Sequence, residues 1–241
     1  RLWRLSLFQL SVGMAIVLLT GTLNRIMVVE LGQAAWLVSL MLAIPLLLAP
    51  ARALIGYQSD HHRSYLGWRR VPYLWSGTMM QFGGLALMPF ALIIMTEPHS
   101  GPELMGPFAA MSAFLLTGLG MHVSQTAGLA LATDLATEET RPRVVALLYL
   151  MLLIGMIVSS IIFAALLKDF GYVRLIQVIQ GAAVATLVLN ILAMWKQEVR
   201  RPELTHHQLS RPSFGAAWST FIQMPQASRL LWALGLGTMG F

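Results

Sequence analysis

The chain has 241 residues, of which 57% are hydrophobic and only 11% are Asp, Glu, Lys or Arg. Soluble domains carry about 25% charged residues, so this composition excludes an ordinary soluble domain. The absence of cysteine excludes a disulfide framework and a thiolate metal site, and the net charge of +6 has to be explained by where the basic residues lie.

Six uncharged runs are each long enough to cross a bilayer as a helix, which takes about 20 residues. In chain order they cover residues 5–23, 31–51, 71–96, 104–133, 144–167 and 175–195. These runs predict an all-α fold, a polytopic transmembrane helical bundle.

Polar and charged residues follow the first run directly. Asn24 and Arg25 come at its end, and Glu30 precedes the second run. A charge so close to the hydrocarbon region is costly unless it meets a partner. We therefore expect Arg25 and Glu30 to pair with each other or with adjacent helices. The alternative is that Asn24 and Arg25 contact a substrate or a partner.

The loop between the second and third runs, GYQSDHHRSYLGWRR at 56–70, collects charge in a chain that is otherwise apolar. A glycine such as Gly56 lets one membrane helix approach another closely. A carboxylate such as Asp60 can accept charge-assisted hydrogen bonds from guanidinium groups. The loop predicts either a latch at the membrane surface or a turn that only fixes topology. Its candidate residues are Gly56, Asp60, Arg63, Gly67, Arg69 and Arg70.

The fourth run contains TGLGMHVSQTAG, which brings small and polar residues to the middle of the membrane. Gly118 and Gly120 either allow tight helix contact or leave room for a flat ligand. His122 and Gln125 are the polar residues of this run that are candidates for binding a cofactor. One expectation for the histidine is a hydrogen bond to a carbonyl or a glutamine inside the bundle.

The loop after the fourth run, DLATEETRPR, places acids beside bases. Asp134, Glu138 and Glu139 are expected to bind the basic face of the 56–70 loop and to complete the latch. Arg141 and Arg143 follow them and count among the latch candidates.

The last part of the chain is divided by composition. Residues 1–195 are predicted to form the six-helix bundle, 196–229 a cytoplasmic linker, and 230–241 the start of a seventh helix of a protein that continues with several more. Within the linker, apolar residues at helical spacing predict a short helix lying in the membrane surface. They are Phe214, Trp218, Phe221 and Ile222.

The basic residues lie mostly on one side of the predicted membrane. If alternate loops face opposite sides, 13 of the 16 Lys and Arg share the side of the N-terminus. The other three are Arg25, Lys168 and Arg174. Cytoplasmic loops are the ones enriched in Lys and Arg, so the N-terminus is predicted to be cytoplasmic. This bias explains the net charge without nucleic acid as a partner.

Two resemblances follow from these motifs. The 56–70 loop resembles the signature loop of the major facilitator superfamily. The fuller strings SDHHRSYLGWRRVPYLW, GTLNRIMVVELG, LATDLATEETRPRVVALLYLM, QFGGLALMPFAL and ALGLGTMGF resemble the PucC/LhaA family of bacteriochlorophyll-delivery proteins in that superfamily. The resemblance covers nearly the whole chain and implies the N-terminal half of a twelve-helix protein.

The family resemblance implies a role in assembling light-harvesting antenna complexes in the inner, photosynthetic intracytoplasmic membrane of a bacterium. The implied partners are the α and β antenna polypeptides, membrane lipids and the reaction-centre core complex, and the core antenna is favoured over the peripheral antenna. The implied ligand is bacteriochlorophyll, with carotenoid or lipid as further candidates. On this basis His122 is alternatively a ligand of the chlorin magnesium.

A secondary transporter working by alternating access is the competing hypothesis. Proton-coupled transporters bury titratable carboxylates in the membrane, and the six runs contain no acidic residue. This weighs against proton-driven transport in this part of the protein. No Ser–His–Asp pattern, phosphate loop or carboxylate pair indicates an enzyme.

Overall fold

The computed structural model describes residues 2–62, 64–96, 102, 104–200, 213–224, 226–227 and 229–233. Within these residues every regular element is a helix. Six helices are long and apolar enough to cross a membrane, which confirms the predicted number. They are α1 (Leu2–Val29), α2 (Ala35–Asp60), α3 (Val71–Thr96), α4 (Met105–Asp134), α5 (Arg141–Leu166) and α6 (Tyr172–Met194). A shorter helix, α7 (Phe214–Gln223), follows after a gap.

Two helices continue further than the uncharged runs from which they were predicted. The first helix extends to Val29, so Asn24 and Arg25 lie within it rather than after it. The second continues to Asp60, so Arg52 lies inside a membrane-length helix and not in the loop that follows. Charge ends an apolar run in the sequence, but it does not end the backbone hydrogen-bond ladder.

Both of these helices are also irregular along their length. A π-helical segment, Val17–Leu23, interrupts α1. In α2, regular helix stops at Leu47 and resumes at Ala51. Pro50 explains this break because it has no N–H to donate and because it disfavours helical geometry at the residue before it.

The closest helix packing is between α3 and α4, where small residues bring the two backbones together. A Cβ added at Gly84 would lie 2.6 Å from the backbone nitrogen of Thr117. At Gly77 an added Cβ would lie 2.5 Å from the hydroxyl oxygen of Ser124. Glycine at these positions therefore permits the close approach that drives helix association in membranes.

A buried polar network links α1, α3 and α6. Ser11 Oγ lies 2.8 Å from Asn190 Oδ1, and Asn190 Nδ2 donates to Thr78 Oγ1 at 3.0 Å. All three residues are fully buried. Because hydrocarbon offers no hydrogen bonds, these side chains satisfy each other and fix how the three helices face one another.

The helices differ in how much of their surface the bundle covers. The first and fourth are the most buried of the six, and the second and fifth are the least. The uncovered residues of these two are mainly apolar, for example Leu47 of α2 and Ile161 of α5. Their surfaces suit lipid or another apolar protein surface.

The structure describes only some residues of the predicted linker, 196–229, and of the predicted seventh helix, 230–241. The 214–222 pattern does lie in a helix, α7, whose first turn is capped by Ser213 accepting the N–H of Ala216 at 3.2 Å. Its Phe214 packs edge-on against Tyr57 of α2 at 5.4 Å between ring centres. Residues 229–233 are helical, while 234–241 lie outside the described residues.

Candidate functional site

A cluster of charged side chains joins the end of α2, the start of α3 and the end of α4. We call it the ion-pair cluster. It comprises Asp60, Arg69, Arg70, Asp134 and Glu198. Four of these five residues are latch candidates from the sequence, and Glu198 is new.

Arg70 lies at the centre of the ion-pair cluster, with its side chain only 8% exposed. Its Nε donates to Asp134 Oδ2 at 3.2 Å, and its Nη1 donates to the hydroxyl of Ser59 at 2.8 Å. Its Nη2 forms an ion pair with Asp60. The planar guanidinium thus binds three groups on two helices, a geometry that a lysine could not reproduce.

Arg69 adds a weaker contact to the same carboxylate, with Nη2 lying 3.3 Å from Asp134 Oδ2. Both groups are about one-third exposed, so solvent screens this pair more than the pairs of Arg70. The chain reaches the two arginines through Gly67, whose φ of +76° is a left-handed conformation that favours glycine.

Glu198 binds the beginning of α3 from a segment beyond α6. Its carboxylate accepts the backbone N–H groups of Arg69 at 2.7 Å, Arg70 at 3.1 Å and Val71 at 2.8 Å. The first N–H groups of a helix have no partner within the helix, and the helix dipole favours an anion there. Glu198 therefore caps the N-terminus of α3 and holds the segment after α6 against it.

The remaining latch candidates do not join the cluster. Glu138, Arg141 and Arg143 are exposed, and none of the ion pairs between described residues includes them. Arg63 lies outside the described residues. A Cβ at Gly56 would meet only Thr126 Cγ2, at 3.7 Å, so close helix approach does not require glycine there.

A second polar cluster lies where α4 meets the break in α2, with His122 buried and Arg52 exposed. His122 Nε2 lies 2.9 Å from the carbonyl oxygen of Pro45, and Arg52 Nε donates to His122 Nδ1 at 2.8 Å. Arg52 Nη2 also donates to Gln125 Oε1 at 2.5 Å. The carbonyl requires the proton on Nε2, and Arg52 requires the lone pair on Nδ1, so this geometry defines a neutral histidine.

The contact with the Pro45 carbonyl is one of the two arrangements expected for His122, and ligation of a chlorin magnesium stays a prediction. A metal ligand needs a free lone pair on one ring nitrogen, and both nitrogens of His122 are engaged. The glycines nearby leave no room for a flat ligand either. An added Cβ would overlap the Pro45 side chain at Gly118 and the Gln81 backbone at Gly120. Of the two expectations for this region, tight packing is the one that the structure supports.

At the other end of the bundle, Arg25 Nη2 and Glu30 Oε1 lie 3.5 Å apart. The Arg25 side chain is two-thirds exposed, so this pair contributes little to stability. A cavity of about 300 Å³ lies beside it between α1 and α5, and Arg25 and Lys168 are among its lining residues. Asn24, the residue before Arg25, is half-buried.

The sequence did not indicate the roles of Glu198 and Arg52. Glu198 appears in it as part of the charge run KQEVRRPE, and 127 positions separate it from Val71. No periodicity can detect a pairing over such a distance. For Arg52 the only hint in the sequence is Pro50. A proline can stand at the start of a helix as well as end one, so it could have suggested that the helix resumes and includes Arg52.

Comparison with known proteins gives a consistent result. A family model described as PUCC protein matches residues 22–241. The chain is 56% identical to Protein PucC of Rhodovulum sulfidophilum, with all of this chain and 54% of the relative aligned. It is 55% identical to the "Uncharacterized protein in puhA-bchM intergenic region" of Rhodobacter capsulatus, with all of this chain and 51% of the relative aligned.

A more distant relative is the "Bacteriochlorophyll synthase 44.5 kDa chain" of Rhodobacter capsulatus, which is 29% identical over 83% of this chain and 45% of its own length. The chain spans about half the length of the curated relatives it matches. No solved structure matches it.

Proposed function

The chain belongs to the PUCC protein family, and from this membership we propose that the protein is a membrane assembly factor for the photosynthetic light-harvesting antenna. The observation that carries the proposal is the match to PucC proteins along the entire chain. A bundle of helices long enough to span the membrane suits a protein that acts on antenna polypeptides embedded in the same membrane.

The proposed ligand is bacteriochlorophyll, which the protein binds or hands to the α and β antenna polypeptides, with carotenoid or lipid as further ligands. The relative named for bacteriochlorophyll synthase supports this pigment chemistry. The proposed client is the core antenna with its reaction centre rather than the peripheral antenna. The role is one of binding and positioning, with no catalytic step.

The proposed architecture is the N-terminal half of a major facilitator superfamily protein in the bacterial inner membrane, with the N-terminus cytoplasmic. In this arrangement the ion-pair cluster is a cytoplasmic latch that holds the bundle in one of two states. Its central guanidinium and the closing of α3 by Glu198 support a latch that needs several bonds to break together.

Complementation tests the assembly function. The whole protein is expressed in a Rhodobacter capsulatus strain that lacks its own Protein PucC and the related puhA-bchM intergenic protein, and near-infrared absorbance of isolated membranes is recorded. Restored core-antenna absorbance per reaction centre is the expected result. Unchanged antenna absorbance with normal membrane levels of the protein contradicts the proposal, and restoration of peripheral antenna alone reassigns the client.

A secondary transporter is the second candidate, and Arg52 favours it. Charged residues inside membrane helices often mark substrate pathways, and Arg52 makes no ion pair with any described acid. This candidate predicts that proteoliposomes accumulate an organic substrate when an ion gradient is applied. Antenna assembly that persists after the gradient is collapsed excludes it.

A further inference from the structure

A large apolar cavity lies beside the ion-pair cluster, in a groove between the beginning of α3 and the end of α6, and Glu198 is among its lining residues. Its volume is about 650 Å³, within the range of ligand sites in proteins. We call it the tryptophan groove. Its aromatic and apolar walls include Trp68, Trp75, Trp195, Pro72, Ile191 and Met194.

Two of the three indole rings of this groove, those of Trp75 and Trp195, are exposed. Trp75 is 44% exposed and Trp195 is 59% exposed. Among the described residues no aromatic ring packs on either of them, whereas Trp68 carries the guanidinium of Arg200 at 4.9 Å from its ring centre. Three indoles therefore line one cavity, where their rings offer stacking surface to an aromatic ligand.

The wall formed by residues 195–198 is held in place. Lys196 adopts a φ of +53°, a conformation that is uncommon for a residue with a side chain. The hydrogen bonds from the N-terminus of α3 to Glu198 fix the chain two residues later. The hydrogen bonds of the chain itself thus hold this wall of the groove, so little ordering cost remains for binding.

We propose that the tryptophan groove binds the flat conjugated ring of a chlorin, and this rests on the proposed function. A planar π system can stack on exposed indole faces, whereas a saturated lipid chain gains nothing specific from them. Lys196 also lines the groove, and the guanidinium of Arg200 lies over Trp68, so basic residues stand beside the aromatic walls. Recognition here does not use His122.

Pigment titration tests the site. The whole protein in lipid nanodiscs is titrated with bacteriochlorophyll a, and tryptophan fluorescence quenching and pigment absorbance are followed. Trp68→Leu, Trp75→Leu and Trp195→Leu are each expected to raise the Kd about threefold to tenfold, because each removes one stacking face. Trp195→Phe retains a ring and is expected to weaken binding less than Trp195→Leu does.

Trp3→Leu is the matched control, since Trp3 lies at the same end of the bundle and is 64% exposed but does not line the groove. Its Kd is expected to equal that of the wild type. Pigment binding that survives all three groove substitutions overturns the assignment and leaves the assembly function intact. Displacement of the pigment by phytol alone, or by an antenna helix without pigment, overturns the ring specificity. A wild-type protein that binds no pigment removes both this site and the pigment part of the proposed function.

Discussion

At the scale of single residues, the charged side chains derive their roles from partners far away in the chain. Arg70 binds groups on α2 and α4, and Glu198 binds the first amides of α3. The contacts of Arg70 with Asp134 and of Glu198 with α3 join residues that are close in space and distant in sequence. Substitutions at these positions therefore affect how helices are held together rather than how any one helix forms.

Arg70→Lys is expected to destabilise the bundle by about 1–3 kcal/mol, because one ammonium cannot serve Asp60, Asp134 and Ser59 together. The measurement is the thermal unfolding midpoint in detergent. Arg141→Ala is the control, since Arg141 is exposed and outside the ion pairs of the described residues. Equal midpoints for the two variants would show that the cluster adds nothing to stability.

Glu198→Gln is expected to speed amide hydrogen exchange at residues 69–71 roughly tenfold. The substitution removes the negative charge at the start of α3 and leaves one oxygen to accept three N–H groups. Exchange followed by mass spectrometry measures this directly. Glu139→Gln, at an exposed position outside the cluster, provides the comparison, and the prediction fails if both variants exchange alike.

At the scale of helices, apolar runs predicted the six spans well because hydrocarbon length dictates span length. The irregular parts were not predictable. The π-helical segment 17–23 leaves no mark in a hydropathy pattern, and Arg52 looks like a loop residue until α2 is seen to resume at Ala51. The ion-pair cluster could be predicted from Asp60, Arg69, Arg70 and Asp134. The contribution of Glu198 could not, because nothing local relates it to α3.

Helix contact explains one of the two adjacent glycines in α3, Gly84, and not Gly83. Gly84→Ala places a Cβ 2.6 Å from the Thr117 nitrogen, so α3 and α4 must separate, at a cost of about 1–3 kcal/mol. Gly83→Ala meets only Leu116 Cδ2 at 3.6 Å and is expected to be neutral. Unfolding midpoints of the two variants distinguish them, and a loss of stability in both would argue against specific α3–α4 contact.

His122→Leu separates packing from pigment ligation. It removes the contacts to Pro45 and Arg52 where α4 meets the break in α2, so the unfolding midpoint is expected to fall. Pigment bound by the purified protein is expected to stay at the wild-type level. Loss of pigment with an unchanged midpoint would instead identify His122 as a chlorin ligand.

At the scale of the whole molecule, the proposed orientation in the membrane rests on charge, because the sequence predicts 13 of the 16 basic residues on one side. The chain contains no cysteine, so single cysteines report on sidedness. In right-side-out spheroplasts, Asp169→Cys is expected to react with an impermeant maleimide, whereas Tyr65→Cys is expected to react only after lysis. Both positions are about 90% exposed. The reverse pattern would invert the topology.

The carboxylate that closes the N-terminus of α3 has a consequence for biogenesis. Val71 is synthesised 127 residues before Glu198, so α3 leaves the ribosome with its first amides still open. These amides gain their hydrogen bonds to Glu198 only after the sixth span has been synthesised and has packed against its neighbours. A nascent chain stalled before that point lacks the bonds that join α6 to α3, so the contact between these two helices is a late event in insertion.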